Sequence, residues 1–287
     1  MARKKIDQRN IAIALLAAIA LIEAFFLFVY KPKVTRAKEK VAAVTKPRPA
    51  KPAVLLIHRE TPKPLQGRIV IIVDDCGYNL RPCEFSAKIK SPVTFSVLPS
   101  LQHSTEVAEC VHGNNKEVML HLPLEPHNND DVYPENYLIK TSMSEAKIQG
   151  IIRKSLKSVP YASGVNNHMG SKATENTKIM TAIFNELKKR NLFFIDSLVT
   201  NNSVCQTVAK SMELPFGKRD IFLDNQNARE SIEHQFELLT QEAKEKGYAV
   251  AIGHDRHLTL QIIEEQTGLL EKEGFKIISV KDLLTHK

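Results

Sequence analysis

Residues 69–78 read IVIIVDDCGY, an unbroken run of Ile and Val that ends on two adjacent carboxylates, Asp74 and Asp75. A strand that is apolar at every position, instead of at alternate ones, has the pattern of a parallel strand covered on both faces. Its end admits two readings. With Gly77 and Asn79 just beyond, the pair is consistent with an ordinary strand-ending turn. It is also how a strand hands acidic groups to a site at its carboxyl edge.

The rest of the chain repeats the pattern. Strands are expected at 68–73 (RIVIIV), 93–98 (VTFSVL), 117–122 (EVMLHL), 192–196 (LFFID), 248–253 (YAVAIG) and 275–280 (FKIISV). YASGV at 161–165 and IFLD at 221–224 are weaker candidates. Helices are expected between them. Ser142 and Glu145 form a capping box ahead of Ile148, Ile151, Ile152 and Leu156. Thr174 opens a helix striped by Ile179, Ile183 and Leu187, and Gly247 ends one lined by Ile232, Phe236 and Leu239. Such alternation implies parallel strands with helical crossovers, and seven or eight strands in about 220 residues suit a closed or partly open (β/α) barrel. A doubly wound open sheet is the alternative.

In either architecture, working residues sit where strands end. Asp74 and Asp75 follow the first strand, and His121 and Glu125 close another in HLPLEP. His168 lies in the polar loop of GVNNHMGS, Asp196 ends FFID, and His254 and Asp255 end AIGHD. Carboxylate with imidazole suits zinc or a similar divalent ion. One of the paired aspartates can hold the ion while the other faces a water. His121 and Glu125 are four residues apart, and Pro123 and Pro126 exclude an ordinary helix, so a bent loop must bring them together or leave Glu125 to orient a partner. His168 reads as a ligand, an oxyanion helper or a hydrogen-bonded turn residue, and Asp196 as a strand-end cap or the partner of a histidine. His257 reads as solvent-exposed. No glycine-rich phosphate loop or nucleophile elbow is present, which excludes common kinases and serine hydrolases.

The flank before residue 67 differs in kind. Residues 11–30, IAIALLAAIALIEAFFLFVY, are broken only by Glu23, and as a helix they reach about 30 Å, a bilayer core. A secretory signal would have a shorter apolar core and a small-x-small cleavage site, which FFLFVY lacks, so the run is expected to be an uncleaved transmembrane anchor after a short basic N-terminus at 1–10. Residues 31–66, rich in Lys and Pro, read as an extended tether, and 67–287 as the globular domain. Of the chain's 40 Lys/Arg and 32 Asp/Glu, residues 1–66 hold 14 and 4, which leaves 26 against 28 for the domain. A nearly neutral domain offers no basic groove, so nucleic acid is not an expected partner. Lysines flank the span on both sides and leave its orientation open. Cys76, Cys83, Cys110 and Cys205 lack zinc-ribbon spacing; buried thiols are expected, with a Cys76–Cys83 pairing as the alternative in an exported chain.

From about Arg68 to Leu284, in order, these motifs resemble the divergent polysaccharide deacetylases, the YibQ-like branch of the NodB-type carbohydrate esterases. IVIIVDD stands where that family carries paired aspartates, EVMLHLPLEP where it carries metal histidines, LFFIDS at its later aspartate strand and YAVAIGHD at its closing histidine strand. HLPLEP, GVNNHMGS and FLDN are hallmarks of the divergent branch. The resemblance implies a distorted or partly open (β/α) barrel that removes acetyl groups from N-acetylated sugars of an envelope polysaccharide with a divalent metal, most readily zinc. It implies Asp74 as general base, with Asp75, His121, Glu125 and His168 as the candidate metal set. It implies His254 as general acid, tuned by Asp196. Three departures stand out: Glu125 occupies the slot of a histidine, NNHMGS replaces an Arg-x-Pro segment that positions the base, and the chain has no Trp. The expected protein is a single-pass inner-membrane enzyme with a periplasmic domain. A silent glycan-binding scaffold on the same fold and a hydrolase facing the cytoplasm are its rivals.

Overall fold

The computed structural model describes residues 64–128 and 133–285. The expected anchor at 11–30 and nearly all of the expected tether lie outside them. Among the described residues no helix is long and apolar enough to cross a membrane.

The opening run forms β1 (Gly67–Cys76), and its Ile69–Val73 stretch is entirely buried. Burial of this kind contributes about 1.5–3 kcal/mol for each such side chain. The run is apolar throughout because it is central: β1 pairs in parallel with β2 (Thr94–Val97), β8 (Tyr248–His254) and β9 (Phe275–Ile277). The sheet continues from β2 through β3 (Glu117–Leu124), β4 (Ala162–Met169) and β5 (Phe193–Asp196) to β6 (Phe216–Lys218), and β7 (Ile221–Phe222) borders β8. Every pairing is parallel, as the alternation of strands and helices requires.

The sheet curls until its edges almost meet. Arg219 donates its backbone N–H to Asp196 O on β5 at 3.0 Å, and the next residue, Asp220, donates to Val250 O on β8 at 2.8 Å. One peptide step, about 3.8 Å, therefore carries the chain from one edge of the sheet to the other. The result is the partly open barrel expected from the sequence.

Alternation along the strands sorts side chains into two layers. Ile69, Ile71, Val73, Leu120, Leu122, Val165 and Phe194 face outward into a core shared with the helices. Val70, Ile72, Met119, Phe193, Ile195, Val250 and Ile252 face the barrel interior. Gly164 also faces inward; a Cβ there would sit 2.1 Å from the Phe193 ring, which fills the space. The lower end is plugged by α8 (Val280–Thr285), whose Val280 and Leu283 join the inner cluster. Glu117 accepts the Val280 and Lys281 N–H groups of that helix at 2.8 and 3.2 Å. The carboxyl ends of the strands lie opposite this plug.

The outer helices are α1 (Arg81–Lys88), α2 (Ser104–Gly113), α3 (Glu145–Ser158), α4 (Thr177–Lys188), α5 (Cys205–Ser211), α6 (Arg229–Lys246) and α7 (His257–Glu273). Gly247 ends α6 in the left-handed conformation, as expected. Two caps differ from expectation. Ser144, not Ser142, caps α3 by accepting from Lys147 N, and Asn176, not Thr174, caps α4 by accepting from Ile179 N. The Thr174 hydroxyl instead donates to Gly170 O. FKIISV also shortens: β9 stops at Ile277 because α8 begins at Val280.

The cysteines correct the sequence reading. Cys83 on α1 and Cys110 on α2 form a disulfide with Cα atoms 5.6 Å apart, while Cys76 and Cys205 are free and buried. Cys76 stays in the outer core on β1 with its thiol 3.3 Å from Val73 O, and the partner of Cys83 is Cys110. The bridge closes a separation of 27 residues, which constrains the unfolded chain by about 3–4 kcal/mol. Replacing both Cys83 and Cys110 with Ser is expected to lower unfolding free energy by about that amount in denaturant titration; an unchanged midpoint would contradict the bridge.

Candidate metal centre

Inward positions just above the apolar layer are polar on strand after strand. Asp74 follows Ile72, Ser96 follows Thr94, His121 follows Met119, Asn166 follows Gly164 and His254 follows Ile252, each at the two-residue period. Asp75, at the intervening position, would turn outward on a regular strand. It does not, because the β1–β2 register breaks between Val73 and Cys76 and Asp75 takes a left-handed φ of 60°. An Asp tolerates that conformation better than most residues, at a cost of about 1 kcal/mol or more. The bulge turns both carboxylates of the opening motif toward one mouth.

Asp75 Oδ1 lies 3.2 Å from His121 Nε2 and 3.0 Å from His168 Nδ1. These ring nitrogens are 3.3 Å apart, and all three atoms fall within 4.8 Å of one another. Asp75 Oδ1 is buried yet accepts no well-directed hydrogen bond. A carboxylate oxygen and two imidazole nitrogens gathered in one small, largely buried space are a donor set that suits a divalent ion. The residues present therefore fit a divalent ion. Burial alone would raise the Asp75 carboxyl, but the two imidazoles outweigh it and hold the group well below the usual carboxylate range. Burial likewise opposes charge on His121, but Asp74 and Asp75 push it up to about 9.

Asp74 and His254 flank this trio. Asp74 Oδ2 is 3.6 Å from His121 Nε2, and His254 Nε2 is 3.8 Å from Asp75 Oδ2. Burial first, and then Asp75, raise the Asp74 carboxyl above its ordinary value. Asn166 donates to both Asp74 oxygens, at 2.8 and 3.1 Å. His254 Nδ1 lies 2.9 Å from Asp224 Oδ1, and Asp224 also accepts from His254 N and Thr259 Oγ1. Burial opposes protonation of His254, but Asp224 outweighs it and raises the imidazole. Aromatic walls stand on both sides: Phe222 is 5.1 Å from the His254 ring and Tyr133 is 5.9 Å from the His168 ring.

Two expected site residues are not brought here. Glu125 accepts from Thr141 N and Oγ1 at 2.5 and 2.6 Å and pairs with Lys172 at 2.8 Å, so its carboxylate ties rim loops together and is not beside His121. Asp196 accepts from Leu198 N at 2.8 Å and Ser203 Oγ at 2.6 Å; it caps its own loop, and Asp224 is the partner of His254. His168 lies on β4 itself, not in a loop, because NNHM continues the parallel ladder with β3 to Met169. Asp255 pairs with Arg81 at 3.0 Å and accepts from Asn79, which locks two mouth loops. His257 is exposed, as expected.

Fold and site together define a curled parallel α/β barrel of the NodB deacetylase type with an Asp/His/His cluster at its open mouth. Residues 71–284 match the family described as divergent polysaccharide deacetylase, and the chain belongs to that family. The uncharacterized protein YibQ of Escherichia coli is 33% identical over 201 residues, 70% of this chain and 62% of that protein, so the match spans less than two thirds of the relative. A crystal structure of an uncharacterized protein from Agrobacterium tumefaciens superposes with a TM-score of 0.72 at 20% identity, covering 78% of this chain and 92% of that one. The catalytic domain of a peptidoglycan N-acetylglucosamine deacetylase from Eubacterium rectale gives 0.50 at 16% identity, covering 74% and 88%. At these identities the structural likeness concerns the fold.

Proposed function

We propose that the chain is a membrane-anchored, metal-dependent deacetylase that hydrolyses the acetamido groups of an envelope glycan. The observation that carries this reading is the convergence at one mouth of Asp75, His121 and His168 with Asp74 and His254 on either side. Those three ligands would hold zinc, which when bound polarises an amide carbonyl and acidifies water. Asp74 accepts the proton of the attacking water. His254, protonated and held through Nδ1 by Asp224, gives a proton from Nε2 to the departing amine as the C–N bond breaks. Phe222 beside His254 and Tyr133 beside His168 would offer aromatic surface to the acetyl methyl.

The expected anchor at 11–30 would tether this domain to the inner membrane, and the outer side is the one proposed here. The Cys83–Cys110 bridge supports that side, since such bonds persist in oxidising compartments. A periplasm-dependent reporter fused after Lys287 is expected to be active, and activity only of a cytoplasmic reporter would refute export.

Acetate release by the zinc-loaded chain, from N-acetylated chitooligosaccharides and from peptidoglycan, tests the activity. Glycan binding without release from either would favour a silent binding protein. The pH profile carries a finer expectation. Activity requires Asp74 ionised and His254 protonated, so kcat/KM rises through the first pKa and falls through the second. Asp224 raises the His254 pKa, so Asp224→Asn is expected to move the alkaline limb to lower pH and leave the acid limb in place. An alkaline limb that stays put would remove His254 from the acid role.

A further inference from the structure

We propose that Asn166 is the positioning residue that makes His121 a metal ligand: pinned by Asp74, its carboxamide keeps a proton on His121 Nδ1 and leaves Nε2 to face the ion. The proposal rests on the metal-site reading above and deepens it. Asn166 is fully buried on β4, and sequence reasoning assigned it nothing.

An amide has a donor end and an acceptor end, and here the two cannot be exchanged. Nδ2 lies 2.8 and 3.1 Å from the oxygens of Asp74 and 3.3 Å from Ser197 Oγ. Turned over, the amide would set its carbonyl oxygen against a carboxylate in a buried site. The carboxylate therefore dictates the orientation. Oδ1 then receives Ser96 Oγ at 2.5 Å and His121 Nδ1 at 2.8 Å. An amide oxygen has no proton to give, so Nδ1 must supply the proton of the 2.8 Å bond whatever the charge of the ring. The other nitrogen, Nε2, stands 3.2 Å from Asp75 Oδ1 and 3.3 Å from His168 Nδ1. It is the atom left to exchange a proton for an ion. One side chain thus aims the candidate base and selects the ligating nitrogen at once.

Cobalt(II), titrated into the full-length chain and followed by its visible absorption, tests the idea without turnover. Asn166→Leu removes the acceptor and is expected to weaken cobalt about 10–100-fold and shift the absorption bands. Asn166→Asp keeps an oxygen for Nδ1 but sets its other oxygen against Asp74, so the two carboxyl groups must share a proton; it is expected to bind cobalt more tightly than the Leu variant. Ser96→Ala, which removes only the second donor to the same oxygen, should bind cobalt close to wild type. Wild-type affinity and spectrum in Asn166→Leu would overturn the proposal, as would equal losses in the Leu and Asp variants. In case the Leu variant does not fold, nitrogen NMR of histidine-labelled, zinc-loaded wild type reads the tautomer directly. A proton on His121 Nδ1 supports the assignment and its absence refutes it. Failure of the wild type to bind any divalent ion would instead bring down the metal-site reading itself.

Discussion

Asp75→Asn is expected to strip the chain of its tightly held divalent ion and to cut acetamide hydrolysis by about a thousandfold or more, the rate equivalent of several kcal/mol of lost transition-state stabilisation. The substitution preserves size and changes charge. Asp75 is the anionic member of the trio, its Oδ1 standing 3.0 and 3.2 Å from the two ring nitrogens without receiving a directed hydrogen bond. An amide in its place can offer its oxygen but not its charge, so two imidazoles are left to hold a dication alone. Metal content after desalting, measured beside acetate release, reads both effects. A variant that keeps wild-type zinc would mean that Asp75 is a turn residue after all.

Asp74→Asn is expected to behave in the opposite way toward the ion: zinc retained, kcat lower by about 10²–10⁴-fold. Asp74 lies outside the ligating trio, its Oδ2 3.6 Å from His121 Nε2. Asparagine at 74 still presents an oxygen to Asn166 Nδ2, so the buried network around His121 survives. What disappears is the group that can accept a proton. The two adjacent aspartates therefore separate into ligand and base by a single pair of measurements. Loss of zinc in both variants, or full activity in Asp74→Asn, would break the division of labour.

The divergence of these neighbours explains the opening motif. On a regular strand Asp74 and Asp75 would face opposite sides of the sheet, and a lone pair of acids at a turn would mean little. The bulge and the left-handed φ of 60° at Asp75 place both in the mouth. That local strain was not legible in the sequence, but its consequence was, since the convergence of acids and imidazoles at strand ends could be read strand by strand.

Legibility failed where polarity faced inward. β4 reads AlaSerGlyValAsnAsnHisMet, and its second half looks like a loop because a polar run carries no apolar period. The barrel supplies the missing partners: Asn166 bonds to Asp74, Ser96 and His121, and Asn167 to Ser197 and Met169. Two of the three departures from the NodB pattern find a counterpart on that same strand. His168 stands beside Asp75 where Glu125 was expected, and Asn166 holds Asp74 where an arginine was expected. Glu125 misled because spacing along the chain does not say where a rim loop turns, and here Thr141 and Lys172 claim it. Asp224 closes the weak strand candidate IFLD and lies in FLDN, yet it was given no role, because the strand there is only Ile221 and Phe222 and nothing along the chain ties it to His254. The disulfide escaped because two successive helices, on either side of β2, had first to be packed side by side.

The direct test is the position of the ion. In crystals of the full-length chain grown with zinc, anomalous scattering at the zinc edge is expected to give a peak about 2.0–2.2 Å from Asp75 Oδ1, His121 Nε2 and His168 Nδ1, with Asp74 and His254 outside that shell. Zinc bound elsewhere, with these three side chains ligating nothing, would contradict the account.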